Sequence, residues 1–400
     1  MLSFFGRKGL FMIDRTLTKG MLALVSQVPV ITLLGPRQSG KTTLVRNLFP
    51  DYNYANLEDP KTRELARTDY EGFFARYKEP LIIDEVQRVP DILSAIQVRV
   101  DADREKNGRF ILTGSHQPLL RQNVAQSLAG RTSLMTLMPL SMEEILNNSE
   151  VFDTSDTDSL LLRGFMPELY RENSRKPHIY YRDYLETYVE RDLRGLLEVK
   201  NLDTFLRFLT LLAGRTGQIV NFSSMSGEVG VSSTTLREWL SVLEASFVVF
   251  LLKPYFSNLS KQQVKSPKVY FSEVGLASYL IGLESAAQVS RDPLRGQLFE
   301  NLVVAEALKA RLNAGEEPNL FFVRTSKGVE VDMVLKKEGM LYPFEIKSSM
   351  TPNSDFSRHL ASFCKAEETA ADPAVIYAGE EYPSFYGTQY IHYSHTAEKM

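Results

Sequence analysis

Residues 35–42 read Gly-Pro-Arg-Gln-Ser-Gly-Lys-Thr and lie between the apolar run Val30–Leu34 and a helix-forming segment, Thr43–Phe49. The pattern G-x-x-x-x-G-K-[ST], set between a strand and a helix, demands a tight loop whose backbone N–H groups turn inward around phosphate oxygens. Side chains at Gly35 and Gly40 would obstruct that cradle. Lys41 supplies positive charge, and the Thr42 hydroxyl is offered to Mg²⁺. The expected phosphate-binding set is Gly35, Pro36, Arg37, Gln38, Ser39, Gly40, Lys41, Thr42 and Thr43, with Arg37 and Gln38 as passengers of the loop.

A second element agrees with the first. Pro80-Leu81-Ile82-Ile83-Asp84-Glu85 is a buried-strand run ending in two carboxylates. In a Walker B element the first, here Asp84, holds Mg²⁺ through water, and the second, Glu85, polarises the attacking water. Arg109-Phe110-Ile111-Leu112-Thr113-Gly114-Ser115 ends a further strand in polar groups, where such ATPases place a residue that senses the γ-phosphate. Thr113 is the first candidate and Ser115 the second. ATP and Mg²⁺ are the implied cofactors.

The apolar runs Val30–Leu34, Leu81–Ile83, Arg109–Leu112 and Leu134–Leu137 alternate with helical stretches, which predicts a parallel α/β sheet. At 400 residues the chain is long enough for two or three domains, and 44% apolar with 24% charged residues excludes disorder and collagen-like repeats. A net charge of −3 does not describe an indiscriminate nucleic-acid binder, and the lone Cys364 suits a reducing cytoplasm. Arg7, Lys8, Asp14 and Arg15 break any secretory core in the first twenty residues. The longest apolar run, Phe247–Leu252, is far short of the ~20 residues that span a bilayer.

Three regions are expected: 1–155, 156–290 and 291–400. The polar stretch 147–159 reads as a surface loop at the first boundary. The middle region is helical, with Tyr181, Tyr184, Leu185, Tyr188 and Leu193 on one face and Phe205, Phe208, Leu209 and Leu212 on another. Helices near Ser223–Glu228 and Ser232–Leu243, a turn at Gly230, and a strand at Phe247–Leu252 have the order of a winged helix. Its second helix would present Ser233, Thr234 and Arg237 to a DNA groove, while Trp239 packs on its neighbours.

The last region reads as an amphipathic helix over Leu298–Leu312 followed by strands at Leu320–Arg324, Val329–Leu335, Leu341–Ile346 and Ala374–Ala378. Glu345 and Lys347 are two apart, hence on one face of a strand, and Asp332 on the preceding strand can meet them. Two carboxylates and a lysine so gathered can bind a divalent cation and activate water, the chemistry of phosphodiester hydrolysis. Residues 291–400 nevertheless carry 12 Lys and Arg against 16 Asp and Glu, not the basic surface of a nonspecific DNA binder. His392 and His395 read as a surface pair.

The runs Leu34–Thr43, Ile83–Gln87, Leu112–Ser115 and Ser127–Arg131 together resemble a family of prokaryotic AAA-type ATP-binding proteins with a C-terminal domain of unknown function, and the match spans nearly the whole chain. The resemblance implies that Arg131 is an arginine finger or phosphate-sensing arginine, acting within or between subunits. It leads one to expect Asp where Glu273 stands. The C-terminal spacing resembles the PD-(D/E)xK nuclease core, and that resemblance adds Glu300, on the upstream helix, to Asp332, Glu345 and Lys347. The fold class is then α/β: a P-loop NTPase sheet of AAA type, a helical and winged-helix region, and a small nuclease-like domain.

The functional reading is an ATP-binding Mg²⁺-dependent ATPase whose nuclease-like domain acts on or binds nucleic acid. Competing readings are an ATP-regulated DNA-binding switch with inert C-terminal carboxylates, a metal-dependent nuclease gated by ATP, and, more weakly, a small-molecule kinase. DNA and a second copy of the chain are the expected partners beside ATP; a membrane is not.

Overall fold

The computed structural model describes residues 13–115, 124, 126–148, 156–171, 174–188, 202–256, 266–325 and 328–400. Its first sheet contains β1 (Val30–Gly35), β2 (Asn53–Asn56), β3 (Leu81–Asp84), β4 (Phe110–Ser115) and β5 (Thr132–Thr136). They are all parallel, in the order β2-β3-β4-β1-β5. Every residue of β1, β3 and β4 is buried, which explains why they read as unbroken apolar runs. The strand β2 carries no such signal, because Asn-Tyr-Ala-Asn at a sheet edge buries only Ala55.

Parallel strands point their C-terminal ends the same way, so the ends of β1, β3 and β4 converge on one rim. Gly35 lies beside Ser115, and Ile83 lies beside Leu112. This is the P-loop NTPase sheet expected from the motif.

The helix Met142–Leu146 is opened by a reciprocal cap formed by the Ser141 hydroxyl and the Glu144 carboxylate. Of the polar stretch 147–159, residues 149–155 lie outside those described. The remainder differs from the expected loop: the Asp156 side chain caps a helix over Thr157–Arg163. In the middle region Tyr181, Tyr184 and Leu185 are buried on the helix Pro177–Tyr188, and Leu193 lies outside the described residues. Phe205, Phe208, Leu209 and Leu212 are buried on the helix Leu202–Ala213, where Phe205 and Phe208 enclose Trp239.

The helices Phe222–Val229 and Ser233–Ala245 flank Gly230, whose φ of +84° makes the turn between them. The strands after these helices depart from a winged helix with a free wing. β6 (Val249–Pro254) pairs antiparallel with β7 (Lys268–Phe271) and parallel with β8 (Leu320–Arg324), so the hairpin is built into a larger sheet. That sheet continues through β9 (Glu330–Lys337), β10 (Met340–Lys347), β11 (Ala374–Tyr377), β12 (Tyr382–Phe385) and β13 (Thr388–His392). Its order is β12-β13-β11-β10-β9-β8-β6-β7, and it crosses the boundary drawn at 290/291.

The helix expected over Leu298–Leu312 forms over Arg295–Asn313, but it is not amphipathic in its surroundings. It is buried on nearly all sides, including Glu306 and Lys309, and lies in a core that runs from Met138 to Tyr393. Lys309 Nζ donates to Glu306 Oε1 (2.7 Å) and to the Leu140 carbonyl (2.8 Å), while Glu306 Oε2 accepts from the Met142 amide (2.6 Å). This buried pair joins the last region to the segment leaving the first sheet. Among the described residues, no helix is long and apolar enough to cross a membrane.

Candidate active site

The loop after β1 turns at Gly35 and Gly40, with φ of +151° and +94°. A Cβ on Gly35 would lie 2.2 Å from the Leu137 carbonyl oxygen, so no other residue fits there. Gly40 opens the helix Lys41–Leu48, and the Lys41 ammonium folds back onto the carbonyls of Gly35 (3.0 Å) and Pro36 (2.7 Å). Burial lowers the pKa of Lys41 to about 8; Glu85 and Asp84 pull it up, and Arg37 pushes it down. The Ser39 Oγ is buried without a hydrogen-bond partner among the described residues, and Thr43 stands exposed in the first helical turn. A glycine-lined turn, a buried cation and an orphaned hydroxyl fit a nucleotide's phosphates.

Gln38 is more than a passenger. Held at a φ of +61°, it accepts a 2.6 Å hydrogen bond from the Tyr180 hydroxyl, which ties the loop to the helix Pro177–Tyr188 of the middle region. Arg15 braces the loop from below, donating to the carbonyls of Ser39 and Met138, each at 2.7 Å. Its guanidinium pairs with Glu144 at 3.0 Å, both side chains being buried. Sequence reasoning missed this brace because its contacts are 24 to 129 residues away and leave no local pattern. Arg15→Ala leaves Glu144 buried and unpaired; chemical denaturation is expected to show a loss of ~3–5 kcal/mol, and an unchanged midpoint would remove the bracing role.

The Asp84 carboxylate is encircled by hydroxyls. Thr42 Oγ1 (2.9 Å) and the Tyr54 hydroxyl (2.7 Å) donate to Oδ2, and Thr113 donates to Oδ1. Thr42 facing Asp84 fits Mg²⁺ held by the hydroxyl and, through water, by the carboxylate. Thr113, the first candidate for sensing the γ-phosphate, is fully buried, and its hydroxyl donates to Asp84. Glu85, in the left-handed region at a φ of +58°, is held by Ser115 Oγ (3.1 Å) and by the Gln87 amide, which also donates to Ser115 (3.0 Å). Tyr54 and Gln87 are site residues that no sequence motif marks.

Arg131 bears on the part of the expectation that has it act within its own chain. Its Nε and Nη2 each donate to Asp101 at 2.8 Å, and its carbonyl accepts from Val30, the first residue of β1. The phosphate loop begins five residues farther along β1, about 17 Å at ~3.3 Å per residue. Arg131 is thus at the opposite end of the sheet from the phosphate loop of its own chain, in a bidentate ion pair.

In the C-terminal sheet Asp332, Glu345 and Lys347 meet as predicted. Lys347 Nζ donates to Glu345 Oε1 (2.6 Å) and Asp332 Oδ2 (3.4 Å), and the Ile346 amide donates to Asp332 (2.9 Å). Burial, then Asp332, push the Glu345 carboxyl up to about 7. Glu300 does not complete a metal set: its Oε1 accepts from Tyr270 (2.5 Å) and from Lys268 (3.1 Å), and Lys268 also pairs with Glu330 (2.9 Å). Burial alone would lower the Lys268 pKa, but Glu300, Asp332 and Glu330 hold it above its ordinary value. Among the described residues, no group of three or more His, Cys, Asp or Glu is disposed to hold a metal ion. In the chain as it stands Lys268 pairs with Glu300 and Glu330, and Lys347 with Asp332 and Glu345, so Glu300 faces a different ammonium from the other two carboxylates.

Glu273 makes its contacts despite the extra methylene. Buried, it accepts from the Phe165 amide at 2.9 and 3.0 Å and caps the helix Val274–Leu280 through Gly275. His395 pairs with Glu381 at 2.7 Å, as a surface residue would.

Known proteins resemble this chain along most of its length. Family models match at residues 27–146, described as an AAA domain, and at 154–287 and 295–395, described as Domain of unknown function (DUF8612) and Domain of unknown function (DUF4143). The uncharacterized protein Rv2008c of Mycobacterium tuberculosis (strain ATCC 25618 / H37Rv) is 33% identical over 367 residues, 88% of this chain and 77% of that protein. The chain belongs to its family. The uncharacterized protein MJ1544 of Methanocaldococcus jannaschii is more distant, 25% identical over 337 residues, 76% of this chain and 71% of that protein. Among solved structures, the Walker-type ATPase PABY2304 of Pyrococcus abyssi gives a TM-score of 0.43 at 14% identity, covering 67% of this chain and 96% of that one. The family's AAA domain contains the phosphate loop, Asp84 and Glu85, and its DUF4143 domain contains the Asp332–Glu345–Lys347 cluster.

Proposed function

We propose that this chain is a Mg²⁺-dependent ATPase whose nucleotide state is passed to its middle region, and whose C-terminal domain binds a partner without cutting it. The observation that carries the ATPase reading is Asp84 and Glu85 side by side at the strand end, one facing Thr42 and the other directed by Ser115 and Gln87. Lys41 would leave the Gly35 and Pro36 carbonyls for the phosphates. Thr42 and Asp84 would hold Mg²⁺, which when bound neutralises charge on the phosphate oxygens. Glu85 would orient the attacking water and accept its proton. The Tyr180–Gln38 bond gives the loop a direct link to the middle region.

On the C-terminal strands the carboxylates that a cation would need are already engaged, Glu300 and Glu330 by Lys268 and Asp332 and Glu345 by Lys347. That favours the switch reading over cleavage, with nucleic acid as the partner class to test. On single-stranded, duplex and branched DNA and RNA, with Mg²⁺ or Mn²⁺ and with or without ATP, the protein is expected to cut nothing. Cleavage that disappears in Asp332→Ala would establish a nuclease instead, and an ATP-dependent mobility shift without cleavage would support the switch. An arginine finger between subunits would first have to break the Arg131–Asp101 pair; assembly on sizing with ATP is its test.

A further inference from the structure

β2 is the least apolar strand of the first sheet, yet it carries a tyrosine directed at the carboxylate most important to the cation. Tyr54 pairs in register with Ile82, two residues before Asp84 on the adjacent strand, and its hydroxyl reaches along the sheet to Asp84 Oδ2 at 2.7 Å. The ring is half-buried, with the Arg46 guanidinium of the phosphate-loop helix 4.7 Å from its centroid. Thr42 donates to the same oxygen, and Thr113 to the other. An ionised carboxylate has about four acceptor positions. Three hydroxyls occupy three of them, which leaves one direction for a further donor.

We infer that Tyr54 is a positioning residue for the cation, fixing Asp84 so that its one open acceptor position receives a water of the bound Mg²⁺. The inference rests on the ATPase reading and adds to it a residue that the nucleotide motifs do not contain. Mg²⁺ gives up its water reluctantly and demands near-octahedral geometry, so a carboxylate that meets the ion through water must be held in direction. Thr42 would also be a ligand of the ion and Thr113 holds the other oxygen, so of the three hydroxyls Tyr54 is the one on Oδ2 whose role would be to restrain the carboxylate alone.

The test is Tyr54→Phe in the full chain, which keeps the ring under Arg46 and removes one hydroxyl. ATP affinity is measured by titration with a fluorescent ATP analogue, in EDTA and across a MgCl₂ series, alongside steady-state turnover. The half-saturating Mg²⁺ concentration is expected to rise on the order of tenfold, the usual scale for an outer-shell partner. Affinity in EDTA should be unchanged, and most of the turnover should return at saturating Mg²⁺. An unchanged Mg²⁺ dependence overturns the inference, as does a loss that appears equally in EDTA, which would mark Tyr54 as structural. A wild-type protein that binds Mg-ATP without turnover would sink the ATPase reading and leave the Mg²⁺-dependent affinity to judge Tyr54. No nucleotide binding at all would sink both.

Discussion

Lys41→Ala is expected to abolish nucleotide binding, lowering affinity at least a hundredfold. The ammonium is buried, bonds to two loop carbonyls, and lies close enough to Asp84 and Glu85 to feel both charges. Each charge-assisted hydrogen bond that it transfers to a phosphate contributes ~1.5–3 kcal/mol, so losing two costs several decades of affinity at the upper end. Titration with a fluorescent ATP analogue measures this, and wild-type affinity in the variant would remove the loop from the site. The lowered pKa adds a signature. Phosphate binding needs the ammonium form, so affinity is expected to be level below pH 8 and to weaken about tenfold per unit above it. The sign for stability is opposite: from about pH 8 to 10.5 the unfolded chain holds this proton more tightly than the nucleotide-free native chain. This group's burial penalty is therefore relieved as pH rises through that window.

What the sequence made legible was local. The apolar runs of β1, β3 and β4, the glycines that turn the phosphate loop, and the carboxylate pair at 84 and 85 are signals contained within a few residues. The period-2 spacing of Glu345 and Lys347 likewise placed both beside Asp332. What escaped depends on contacts between distant segments. Nothing around Arg15, Tyr54, Tyr180 or Lys268 marks them as partners of Ser39, Asp84, Gln38 and Glu300, because strand order and helix packing bring those pairs together. Arg131 lies far from the phosphate loop of its own chain for a related reason. A motif fixes position along the chain, whereas its end of the sheet is set by Arg131 standing at the start of β5, where Asp101 is within reach. Thr113 was placed at the right strand end, but which neighbour its hydroxyl meets was decided by β3 beside it.

The companion result is a separation of binding from chemistry in Glu85→Gln. The Glu85 carboxylate accepts from Ser115 and from the Gln87 amide, both donors, so a glutamine carbonyl at this position can accept the same two hydrogen bonds. The neighbourhood should survive the substitution, and what is lost is a group able to take a proton from water. ATP affinity is therefore expected to stay within about threefold of wild type, while turnover falls by ~10²–10⁴, the range for removing a general base. Single-turnover hydrolysis of ATP, read beside the same binding titration, resolves the two quantities. Wild-type turnover in Glu85→Gln would exclude Glu85 as the residue that activates water and return the small-acceptor kinase reading to consideration. A joint loss of affinity and rate would instead mean that the Ser115–Gln87 clip supports the phosphate loop itself. With binding kept and hydrolysis lost, the variant holds the chain in its ATP-bound form. The Gln38–Tyr180 contact can then be probed there, since it joins the phosphate loop directly to the middle region.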